Sequence, residues 1–158
     1  MATTLKNLSD HDPEKLPNAE DFIFGIVVSE WNPEITNALL EGSLDILKKA
    51  GAREDKVFVE YVPGTFELPL GAQRIIKRHK ADAVICLGCV IQGETRHFDF
   101  ICNAAATGIM DVGLQHNIPV VFGVLTTNTM EQARDRSGGK HGNKGVEAGI
   151  TALKLVHF

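Results

Sequence analysis

From Phe22 to the C-terminus, apolar runs alternate with helically spaced segments. Phe22 to Val28 is a continuous apolar run with polar flanks, the pattern of a strand buried on both faces. Asn32-Pro33 follows as a cap and first-turn proline and predicts a helix to Lys49, stopped by Gly51. Val57 to Val62 reads as the second strand, with a helix from about Phe66 to Lys80. Ala83 to Ile91 is the third strand, and helical spacing resumes at Ile101 and runs to about His116. Pro119 to Leu125 is the fourth. Thr129-Met-Glu-Gln132 has the form of a capping box opening a short helix. The run Gly138 to Gly145 follows that helix and lacks the Gly-Lys-Ser/Thr ending of a phosphate loop, so it reads as a turn before a last helix.

Strand–helix alternation predicts an α/β domain over 21–158: a three-layer αβα, flavodoxin-like fold with a four-stranded parallel sheet flanked by helices. Residues 1 to 20, polar and carrying Pro13 and Pro17, read as an N-terminal arm rather than core. In open parallel sheets, ligands bind beyond the carboxyl ends of the strands. The unusual residues fall there: Ser29-Glu-Trp-Asn32 after strand one, Pro63-Gly-Thr-Phe-Glu67 after strand two, Gly93 to His97 after strand three, and Thr126-Thr-Asn128 after strand four. The third loop opens a helix, where backbone N–H groups favour an anion, and it carries a titratable His97. Trp31 at the rim suits stacking on a heterocycle, though a packing lid accounts for it as well. Glu67 in a first helical turn would favour the helix dipole in any case.

Composition narrows the class. The 158 residues are 44% hydrophobic and 23% charged, an ordinary globular balance for one domain. A net charge of −4 with no basic cluster argues against nucleic-acid binding. No apolar run reaches the roughly 18 residues of a membrane span. Without an apolar signal core near Met1, a cytoplasmic protein is expected. Cys86-x-x-Cys89 has the spacing of zinc ligands, but residues three apart on a strand point to opposite faces. No metal site is therefore assigned, and free thiols fit a reducing compartment.

Five motifs in order carry a resemblance: Trp31-Asn32, Pro63-Gly-Thr-Phe-Glu67, Gly88-x-Val-Ile-x-Gly-x-Thr-x-His-Phe-Asp99, Phe122-Gly-Val-Leu-Thr and Arg136-x-Gly-x-Lys-x-Gly-Asn-Lys-Gly145. From Phe22 to Phe158 the chain resembles the lumazine synthase family. That resemblance implies condensation of 5-amino-6-(D-ribitylamino)uracil with 3,4-dihydroxy-2-butanone 4-phosphate to 6,7-dimethyl-8-ribityllumazine, releasing phosphate and water. It implies no metal or organic cofactor. Position by position, Trp31 matches the aromatic that stacks on the pyrimidine. Thr65, Phe66 and Glu67 match the segment holding the ribityl chain and ring, and Cys89, Val90 and Ile91 match the strand end beside the pyrimidine. Glu94 and Thr95 match the phosphate-binding pair, and His97 matches the proton-transfer residue. Glu94 is a departure, because an acidic side chain disfavours a phosphate unless only its backbone N–H takes part. Phe122 and Arg136 match residues supplied by a neighbouring subunit. The implied assembly is a homopentamer, with a 60-subunit icosahedral shell as the larger form. A flavin- or lumazine-binding module, or a shell protein without catalysis, is the alternative reading. A response regulator is excluded, because Ser29-Glu-Trp lacks the paired acidic residues that hold magnesium.

Overall fold

The computed structural model describes residues 9–12 and 15–158. Its main strands are β1 (Phe24–Ser29), β2 (Val57–Val62), β3 (Ala83–Ile91) and β4 (Val120–Thr127), all parallel in the order β2-β1-β3-β4. The helices are α1 (Pro33–Lys49), α2 (Leu68–His79), α3 (His97–His116), α4 (Met130–Asp135) and α5 (Lys144–Leu155). Two layers of side chains sandwich the sheet. Phe24, Ile26, Val28, Ile85 and Leu87 pack with Ile35, Leu39 and Ile46 of α1 and Leu153 of α5. Val27, Val84 and Cys86 pack on the other face with Leu68 and Ile75 of α2 and Ile109 of α3. This is the expected three-layer fold. Its chain order reverses between β1 and β3, the switch point at which such sheets open a ligand crevice.

β2 and β3 have the expected bounds, but several other elements differ. β1 starts at Phe24 rather than Phe22, whose ring lies edge-on to Phe24 outside the sheet. β4 runs on to Thr127, because β3 stays paired with it to Ile91↔Thr127; Thr126 and Thr127 are thus strand and not loop. α3 begins at His97, a turn earlier than the apolar spacing from Ile101 suggested. Asp99 in its first turn favours the positive helix end, and the exposed polar residues there hid the helical period. Glu67 sits at the N-cap of α2, preceded by a 3-10 turn over Thr65–Glu67, and so is not inside the first turn of that helix.

Caps differ in detail. Thr129 Oγ1 accepts from Gln132 N as a capping box requires, while Gln132 Oε1 accepts from Asn128 N, one residue before the cap. Asn32 stands at the N-cap of α1 without capping it through its side chain; its backbone is left-handed, φ 58°. The glycine-rich run is more than a turn. It forms an antiparallel pair, β5 (Ser137–Gly139) and β6 (Gly142–Asn143), before entering α5. Of the arm, residues 1–8 with Pro13 and Glu14 lie outside the described residues. Its last residues belong to the packed body: Ala19 is fully buried and its N–H donates to Ala50 O at 2.8 Å.

Candidate active site

A cleft of about 480 Å³ opens at the switch point, within the range of small-molecule sites. The β1–α1 loop contributes Trp31 and Asn32, and the turn after β2 contributes Gly64, Thr65, Phe66 and Glu67. The end of β3 supplies Cys89, Val90 and Ile91, and α3 supplies His97 and Ile101. Three chain regions far apart in sequence converge, the third being the end of β3 with the start of α3, because parallel strands bring their carboxyl ends to one rim.

Trp31 is 72% exposed, an unusual cost for an indole. Its neighbour is Gly64, where a Cβ would lie 3.0 Å from Glu67 Oε2 and 3.6 Å from Trp31 Cδ1, so the three residues stand together at the rim. Phe66 is likewise exposed, so two aromatic faces border the opening. Thr65 is buried, and a Cβ on Gly88 would meet its Oγ1 at 2.8 Å, so glycine lets the turn sit on β3. Burial pushes the Cys89 thiol up to about 11. The neutral thiol is a packing surface in the cleft and not a nucleophile. Cys86 faces the opposite core cluster, as the strand alternation predicted.

His97 opens α3 with its side chain on the cleft wall, and its backbone N–H donates to Thr95 Oγ1 at 3.4 Å. Glu94 and Thr95 are exposed in the loop just before it, beside the cleft rather than in its lining. Arg96 Nε lies 3.4 Å from Asp99 Oδ2 across the first turn.

Phe122 and Arg136 do not join this cleft. They line a second hollow of about 690 Å³ with Gln132, Lys140, His141 and Lys144, on the β4 edge of the sheet. Arg136 donates from Nη2 to Glu147 Oε1 at 2.6 Å and from Nη1 to the carbonyl of His141. Lys144 Nζ reaches the other oxygen of Glu147 at 3.2 Å. Lys140 pairs with Asp135 at 2.8 Å, a bond that raises its ammonium pKa above the usual range. The three cations of this hollow are thus held by two carboxylates, Asp135 and Glu147. Sequence reasoning did not single out Asn32, Gly64 or Ile101 in the first cleft, or Lys140 and Lys144 in the second. All but Ile101 stand inside the quoted motifs, which was the available signal.

A family model described as 6,7-dimethyl-8-ribityllumazine synthase matches residues 21–158. The chain is 59% identical to the 6,7-dimethyl-8-ribityllumazine synthase of Cytophaga hutchinsonii, over 99% of this chain and 98% of that one. It is 52% identical to the enzyme of the same name from Phocaeicola vulgatus, over 100% of this chain and 94% of the relative. A similar protein of that name from Flavobacterium johnsoniae is 52% identical, covering 100% of this chain and 83% of its own length.

Proposed function

The chain belongs to the 6,7-dimethyl-8-ribityllumazine synthase family, and from that premise we propose how its two clefts carry out the reaction. It is a transferase of riboflavin biosynthesis that condenses 5-amino-6-(D-ribitylamino)uracil with 3,4-dihydroxy-2-butanone 4-phosphate, releasing phosphate and water. Both substrates are small molecules.

The observation that carries the assignment of roles is the first cleft. It gathers Trp31, Thr65, Phe66, Glu67, Cys89, Val90, Ile91 and His97 from three chain regions. In our reading the pyrimidine lies against the indole of Trp31 and the end of β3, with Thr65, Phe66 and Glu67 along the ribityl chain. The substrate amine attacks the ketone, and water leaves to give an imine. Phosphate then departs as its C–O bond breaks, and the ribityl-bearing nitrogen closes the ring on the remaining carbonyl with loss of a second water. Each step moves a proton, and His97 stands where an imidazole can take and return it. Departing phosphate needs its charge stabilised. The N–H groups at the start of α3, near Glu94 and Thr95, serve one side, and Arg136 of a neighbouring copy serves the other. Glu94 takes part through its backbone only.

The separation of Phe122 and Arg136 from the first cleft favours a site shared between copies. So does the bare apolar outer face of α3 and the C-terminus, where Met110 is 57% exposed, Leu114 74%, and Phe158 fully exposed. We assign the active unit as a homopentamer, with a 60-subunit shell as its larger closed form. A cytoplasmic location goes with three free cysteines; no helix among the described residues is long and apolar enough to cross a membrane. A steady-state assay of phosphate release with both substrates is the test. Binding of the pyrimidine without phosphate release would leave a binding module instead.

A further inference from the structure

Asn32 departs from what its position in sequence demands. An asparagine at an N-cap ordinarily offers its side-chain oxygen to the N–H groups of the first helical turn. Here no such bond forms, and the backbone is left-handed at φ 58°, ψ 56°. The side-chain amide turns the other way: Nδ2 donates to the carbonyl of Cys89 at 3.0 Å, 57 residues along the chain. Meanwhile its own carbonyl accepts from Ile35 N at 2.9 Å and Thr36 N at 3.0 Å, which starts α1.

The sheet explains why that carbonyl is available. β3 follows β4 to Ile91↔Thr127, but its register with β1 ends at Val28↔Leu87, because the chain leaves the sheet after Ser29. Beyond Leu87 the β1-facing edge of β3 has no strand beside it, and a carbonyl there would lack a partner. The amide of Asn32 supplies one further rung in place of a strand. That rung lies at the mouth of the first cleft, with Trp31 directly before Asn32 and Cys89 in the lining.

We propose that Asn32 is a positioning residue: by tying the β1–α1 loop to the open edge of β3, its amide sets the gap between the Trp31 ring and Cys89–Ile91 into which the pyrimidine slides. The proposal rests on the reading of this cleft as the pyrimidine site. Two properties are required together, tolerance of the left-handed backbone and an N–H donor. Asparagine offers both, glycine only the first, and aspartate sets a carboxylate against the carbonyl.

The chain has one tryptophan, so its intrinsic indole fluorescence reports on Trp31 alone. Pyrimidine substrate is titrated into the assembled wild type, N32G and N32D while that emission is followed, and KM is measured for each substrate. Losing one hydrogen bond in N32G should weaken pyrimidine binding and raise its KM about tenfold. KM for the phosphate substrate should stay within about twofold, and N32D should be at least as impaired as N32G. Wild-type pyrimidine affinity in N32G would overturn the positioning role and leave the cleft assignment standing. Equal loss for both substrates with a lowered melting temperature would overturn it in favour of a purely structural bond. No response of Trp31 in the wild type would overturn the cleft assignment itself, and this inference with it.

Discussion

Arg136 and Glu147 meet across 2.6 Å with side chains only 15% and 8% exposed. The guanidinium is therefore held before any phosphate arrives, and one edge of its fork is already committed. Lys144 shares the same carboxylate at 3.2 Å. Removing Arg136 does two things: it takes away an anion clamp, and it leaves Glu147 with Lys144 as its remaining cation. Arg136→Ala should weaken the phosphate substrate by roughly 10–100-fold, the loss of a charge-assisted bond, with pyrimidine affinity nearly unchanged. It should also lower stability by about 1–3 kcal/mol. Adding Glu147→Gln should recover much of the melting temperature but none of the phosphate affinity. Equal loss for both substrates would point to a folding or assembly defect.

His97 is the first residue of α3, and it lines the cleft together with Val90 and Ile91. General acid–base groups contribute about 10²–10⁴-fold, and orientation of amine and carbonyl supplies much of the rest here. His97→Ala should fall at or below the low end of that range, with KM for both substrates little altered. Wild-type turnover in His97→Ala throughout pH 6–8 would remove His97 from the mechanism.

What the sequence disclosed follows from the range of each interaction. β3 could be bounded from its residues because burial on both faces leaves an uninterrupted apolar run, and β2, an edge strand interrupted by Glu60, could be bounded from its β-branched and aromatic residues. The start of α3 could not, since its first turn, His97 to Phe100, alternates polar and aromatic residues and leaves Phe100 exposed, which breaks the helical period. Asn32 could be marked as a cap from its place before Pro33, yet the partner it uses is Cys89, and only the folded sheet brings that carbonyl near. The Arg136–Glu147 pair was hidden for the same reason, although eleven residues separate them. That Phe122 and Arg136 stand apart from Trp31 and His97 was implied by resemblance alone. No pattern of residues states which cleft a side chain joins.

Gly145 shows how tightly the second cleft is mounted. A Cβ at this position would lie 1.8 Å from the carbonyl oxygen of Leu39, so α5 meets the backbone of α1 directly. Asn143 secures the same junction, with Nδ2 donating to Ala38 O at 2.9 Å and Oδ1 accepting from Gly145 N at 2.7 Å. Neither helix can yield without moving the β5–β6 pair that precedes α5. Gly145→Ala should therefore cost about 3 kcal/mol or more, beyond usual overpacking, because backbone and not a side chain is struck. Thermal denaturation measures this. A melting temperature within about a degree of wild type would mean that α1 and α5 separate more easily than their packing implies.

The division of the site between two clefts makes a prediction about mixtures. One cleft holds Trp31 and His97, the other holds Phe122 and Arg136, and no single chain joins them. If a working site takes its first cleft from one subunit and its second from the next, defects in the two clefts can be sorted apart by mixing. His97→Ala and Arg136→Ala subunits are unfolded together in equal amounts and reassembled. With random order around the ring, about a quarter of the sites receive both an intact first cleft and an intact second one. Activity should rise to about that fraction of wild type, well above either variant alone. Each chain acting by itself would give no rise, since every subunit carries one defect. Sedimentation of the same material fixes the particle: a fully active monomer or dimer would defeat the shared site. A five-subunit particle alone would exclude the shell under those conditions.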